Sequence, residues 1–231
     1  MRVVFVLTAT LIVIVAISAP FALAEPAKLP PEALRGPAHL LHQYPSPQLA
    51  TRDQRIAATR LLAELRAATS AWRVPARAEE AGFRVNRKVR ARADAPPLWL
   101  HAESVAFRRD GRYLDPARPD TIIYADVVGR PLVLIGVMFS MPRGMRGPNP
   151  GGPITRWHSH LVCARGDARG VTPRRDGSCP PSTRKRLGSE MMHVWFTRDL
   201  RSSYAIHAPV PELCAAGYLP ARHCRGHGHH P

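Results

Sequence analysis

A chain of 231 residues, 45% of them hydrophobic, is long enough for one domain with a real core and extended flanks. Its 33 lysines and arginines against 17 acids give a formal charge of +16, and with only Lys28, Lys88 and Lys185 as lysines this bias reads first as GC-rich coding. Low aromatic content, 6%, and the lack of any nucleic-acid-binding motif argue against specific nucleic-acid recognition. The absence of G-x-S-x-G, H-E-x-x-H, P-loop and dinucleotide fingerprints likewise argues against a hydrolase of a familiar kind.

Residues 1–24 read as a secretory signal peptide: Arg2, then an apolar run over 3–18, then Ala22-Leu23-Ala24 as a cleavage site. An uncleaved membrane anchor is the alternative, because the run approaches the ~20 residues that span a bilayer. The expected location is secreted or in the cell envelope. Residues 25–48 are proline-rich and carry little periodic pattern, as in an arm or linker ahead of a single domain over 49–219.

Thr51 can cap a helix of about 20 residues that ends before Pro75, with Leu61, Leu65, Ala68 and Trp72 along one face. A second short helix follows over 76–81, closed by Gly82. The period then turns from helical to alternating. Strands are expected over 99–107, with a hairpin turn at Asp110-Gly111 and a return strand around Tyr113, then in "TIIYA" and "PLVLIGVMFSM", joined at Val128-Gly129-Arg130. Residues 142–153 hold four prolines and four glycines and must form a loop. "RWHSHLVC" is expected as a strand, a long loop runs to Gly188, and "MMHVWFT" makes a further strand. The fold class is α+β: a small antiparallel β-barrel or sandwich, cupin-like in kind, preceded by one long helix.

Cys163, Cys179, Cys214 and Cys224 allow three pairings. Pairing of neighbours, Cys163 with Cys179 and Cys214 with Cys224, is chosen because both enclosed segments look like loops. Each closure contributes roughly 3 kcal/mol on the chain-entropy account. The tail from residue 220 is glycine-rich and polar and is expected to be disordered beyond the Cys214–Cys224 staple. Its His223, His227, His229 and His230 can gather a metal ion without any fold, which would complicate any measurement of bound metal.

The chemistry concentrates in the histidines. On a strand, alternate side chains share a face, so His158 and His160 point together. By the same alternation His193 shares a face with Met191 and Trp195, and His101 with Glu103. If these strands line one interior, their imidazoles and the carboxylate form a set of ligands suited to a divalent ion such as zinc or copper. Three protein ligands with an open fourth position would be a catalytic geometry, the metal serving as Lewis acid or water activator with residues 142–153 as cover. The plainer reading of a His-x-His pair, hydrogen-bonded core, stands beside it. Asp126, Asp176 and Asp199 read as turn residues, and His39, His42 and His207 as ordinary ones. The basic clusters over 83–94 and 165–186 suit an anionic envelope polymer or lipid surface, the alternative function for a non-enzymatic protein.

Leu134 to Val137, Trp157 to His160, and His193 with Trp195 together resemble the motifs of the oil-body-associated-protein-like family, over about residues 121–196. The resemblance implies a shared domain with a histidine-bearing strand pair and no assigned catalytic activity. Two features depart from the family. Met138 stands where it usually has an acid, and Gly188-Ser189-Glu190 replaces a Gly-Lys before the last histidine. Were that acid a ligand in the family, Glu103 or Glu190 would have to substitute here.

Overall fold

The fold was obtained as a computed structural model that describes residues 46–85, 91, 97–166, 170–171, 173–174 and 177–224. The expected signal peptide, most of the proline-rich arm, and His227, His229 and His230 lie outside the described residues. Helix α1 spans Arg52–Ala68. It opens with a capping box in which Thr51 Oγ1 accepts the Gln54 N–H at 3.2 Å while Gln54 Oε1 accepts the Thr51 N–H at 2.9 Å. Its buried stripe is Ala58, Leu61, Leu62 and Leu65. The expected continuation through Ala68 fails because the chain tightens there into a 3-10 turn, Ser70–Arg73. Ala68 is exposed, and Thr69, which donates from both N and Oγ1 to the Leu65 carbonyl, is buried instead. Helix α2, Pro75–Glu80, begins on its proline, and Gly82 at φ +90° ends the turn after it.

Strands β1 (Leu98–Glu103), β2 (Thr121–Asp126), β3 (Val133–Ser140) and β6 (Met191–Trp195) form one antiparallel sheet in the order β1-β2-β3-β6. Strands β4 (Leu161–Ala164) and β5 (Arg184–Leu187) make a separate two-stranded sheet. One face of the larger sheet carries Leu100, Ala102, Tyr124, Val137, Phe139 and Val194 into a core shared with the α1 stripe. The other face packs Ile123, Met138 and Trp195 against Leu213 of α5 (Val210–Ala215). Covered on both sides, β2 is buried at all six positions.

Four expectations are corrected. The sheet is open, and among the described residues it closes into no barrel. No return strand forms around Tyr113; instead Ser104 caps a helical turn, α3 (Val105–Arg108), accepting the Phe107 N–H. Phe107 is thereby turned toward Phe83 and Trp72, with ring centroids 5.5 and 6.5 Å away. "RWHSHLVC" is not one strand: His158 makes a single antiparallel bridge to Met191, and only from Leu161 does the chain pair with β5. The long loop before Gly188 contains β5, whose "RKRL" shows no apolar alternation. Both disulfides close as expected, Cys163–Cys179 and Cys214–Cys224, in keeping with an oxidising compartment. The second ties α5 to a short helix α6, Ala221–Cys224, and the residues beyond the staple lie outside the described residues. No helix among the described residues is long and apolar enough to cross a membrane.

The register slips by one at Ile135: Ile123 faces Gly136, yet Tyr124 faces Leu134. Such a bulge raises local twist. Gly136 lets β6 approach closely because it has no side chain; a Cβ there would lie 2.7 Å from the Val194 carbonyl oxygen and 3.3 Å from Trp195 Cε3. Gly136→Ala should therefore cost about 1–3 kcal/mol in urea unfolding. A variant as stable as the parent would show that β3 and β6 can separate freely at this point.

Candidate metal centre

Residues on the α5 side of the sheet fall into cross-strand rows. Glu103, Thr121, Met138 and His193 are aligned in one row, and His101, Ile123, Gly136 and Trp195 in the next. His158 is added at the β6 edge by its bridge to Met191, with backbone hydrogen bonds of 2.8 and 2.7 Å. In a flat sheet, β1 and β6 would be roughly 14 Å apart with two strands between them. The rings of His101 and His193 are nevertheless 6.1 Å apart between centroids. The side chains reach across the intervening strands, and the bulge in the β2–β3 ladder favours the twist that shortens the gap.

The result is a chain of rings. His193 stacks on His158 at 5.1 Å and on Trp195 at 5.2 Å, and His158 meets His160 edge-on at 5.1 Å. Burial falls off along it: His158 is fully buried, His193 nearly so, His160 half-buried and His101 exposed. The cluster thus runs from the interior to the surface, as a site with a route in requires. Trp195 is anchored by donating Nε1–H to the Ala205 carbonyl at 2.8 Å, and it screens His193 from water.

His193 is held well below its usual pKa, first by burial and then by the neighbouring charges of His158, His101, His160 and His207. It is neutral at pH 7, the form that binds metal. Its Nδ1 is buried and makes no hydrogen bond among the described residues. His207, read from the sequence as ordinary, is exposed but close enough for its charge to act on His193; nothing in the sequence pattern signals that proximity.

The carboxylates are engaged elsewhere. Glu103 pairs with Arg108 Nη1 at 3.2 Å, and Arg108 Nη2 reaches buried Asp120 at 3.3 Å. Burial raises the pKa of Asp120, opposed by its hydrogen bond from Thr121, the Arg108 charge and the Ser140 N–H. Glu190 accepts the Gly147 N–H at 2.6 Å, and burial raises its pKa too. The loop over residues 142–153, expected as a cover for the histidines, packs toward α1 and Trp157, with Met145 against the core on the α1 side. Its Gly151 and Gly152 lie against Ala58 and Gln54 of α1, and its Pro148 carbonyl accepts Trp157 Nε1–H at 2.8 Å. Asp199 caps α4 (Leu200–Ser203), as a turn residue should, whereas Asp126 ends β2 and accepts the Ala91 N–H.

Among the described residues, no set of three or more His, Cys, Asp or Glu side chains is already arranged to hold a metal ion. The spacing and the orientation of the rings account for this differently. Two imidazoles on one tetrahedral zinc have centroids about 5 Å apart, close to the separations found, but His158 and His193 lie within 29° of parallel, so their nitrogens do not converge. Compared with family models, curated proteins and solved structures, the chain finds no match.

Proposed function

We propose that this is an exported or envelope protein that binds a divalent metal, zinc or copper, through His158, His160 and His193, with His101 as the fourth ligand. Four imidazoles in one continuous cluster, graded from buried to exposed, carry this reading. Like-charged rings this close favour the neutral state, and neutral rings are what a cation needs. Glu103 is the lesser choice for a fourth ligand, because a metal would have to displace Arg108. The resemblance to the oil-body-associated-protein-like family belongs to the same proposal.

The test uses the full chain with His223, His227, His229 and His230 changed to alanine, so that the tail contributes no metal. Mass spectrometry should find a stoichiometric ion, and His158→Ala/His160→Ala should lose nearly all of it. A parent with no metal above background after zinc or copper loading would end the proposal.

A second reading, attachment to an anionic envelope polymer or lipid surface, is favoured by one observation. A cavity of about 400 Å³ on the β4–β5 sheet is lined by Arg165, Arg184 and Arg186. On this reading, binding to anionic vesicles falls steeply between low and high salt.

A further inference from the structure

The cross-strand neighbours of the two most buried histidines are both methionines. Met138 on β3 stands directly opposite His193 on β6, and Met191 stands directly opposite His158 across the isolated bridge. Directly opposed residues in an antiparallel pair have Cβ atoms about 4.5–5.5 Å apart, and methionine, unbranched with three rotatable bonds, can swing its sulfur across that gap. Met138 is buried, Met191 half-buried, and both belong to the cluster that includes Trp195.

The donor chemistry of this face is therefore soft. Its nitrogens come from imidazoles and its sulfurs from thioethers. All four cysteines are in disulfides, and Glu103 and Glu190 are held by Arg108 and by the Gly147 N–H. Thioether with imidazole selects monovalent copper, whereas zinc asks for four nitrogen, thiolate or carboxylate donors in a tetrahedron. That choice also fits the parallel planes of His158 and His193, since a soft ion with few ligands can take one nitrogen and neighbouring sulfurs.

Building on the metal-binding reading above, we propose that the same face also takes Cu(I), ligated by Met138 and Met191 together with the imidazole of His193 alone, in place of the four-imidazole set that holds a divalent ion. The plainer role of the two methionines is gap-filling in the core, and leucine at these positions separates the roles because it conserves volume while removing sulfur.

The experiment uses the full chain with the four tail histidines changed to alanine, titrated without oxygen against a chromophoric Cu(I) chelator and separately with zinc. The parent should hold Cu(I), and X-ray absorption should show sulfur bound to it. Met138→Leu/Met191→Leu should weaken Cu(I) by about tenfold or more while leaving zinc affinity within about twofold, the selectivity expected for thioether ligands. Unchanged Cu(I) affinity in the leucine variant overturns the inference, and so does an equal loss of both metals. If His158→Ala/His160→Ala still abolishes binding in that case, the metal face itself stands. A parent that holds neither ion sinks both readings.

Discussion

Taking the metal-free protein from pH 7 to pH 5 should destabilise it, and His193→Phe should remove much of that loss. His193 is buried and its pKa lies well below the ordinary histidine value, from burial first and then from the charges of His158, His101, His160 and His207. In the unfolded chain it takes up a proton near pH 6.5, while in the folded chain it stays neutral. The unfolded state therefore binds more protons below that pH, so stability is full above about 6.5 and falls with acidification, by up to about 1.4 kcal/mol per pH unit for this group. Asp120 and Glu190 act the other way. Burial raises both, so each favours the folded state as it becomes protonated, at the acid end of the range. Urea unfolding at a series of pH values in the presence of a chelator checks this. Phenylalanine keeps the stacking with Trp195 and removes the titrating group, so the slope below pH 6.5 should drop by close to one proton. Equal slopes in parent and variant would mean that His193 is protonated in the fold.

Leu65→Ala should cost about 3–5 kcal/mol, the range for a leucine whose site cannot collapse. Leu65 is fully buried on α1, and its carbonyl takes both Thr69 donors where the helix tightens, so the backbone cannot settle into the void. Against a total stability of roughly 5–15 kcal/mol, that is a large fraction. The residue lies on the opposite side of the sheet from the histidines. Metal affinity of the folded fraction should accordingly be unchanged while the urea midpoint falls sharply. A cost under about 1 kcal/mol would mean that α1 is not docked on the sheet.

What the sequence made legible follows from local rules. Thr51 as a cap and the alternation in "LWLHAE" are properties of a few neighbouring residues and are found as read, whereas Pro75, read only as the limit of the first helix, opens the second. The same alternation put His101 and His193 each on a definite face. It could not say that the two faces meet, because that depends on a bulge at Ile135 and on sheet coiling across four strands. Ser104 turned an expected strand into a helical turn through a side-chain hydrogen bond that competes with the ladder. Strand β5 was hidden because its pairing with β4 is made by the backbone of arginines and a lysine. Met138 and Met191 went unread as neighbours of His193 and His158, since register between distant strands leaves no mark in either segment alone.

Four imidazoles from β1, β6 and the segment before β4 are proposed to act on one divalent ion. Nitrogen-15 spectra of the histidine side chains in the full chain, recorded as zinc is added, address each ring separately. His101, His158, His160 and His193 should shift together and saturate at stoichiometric metal, with His193 coordinated through Nδ1 or Nε2 in place of a neutral ring signal. Shifts confined to His223, His227, His229 and His230, with the other four rings as they were, would mean that these imidazoles share no ion.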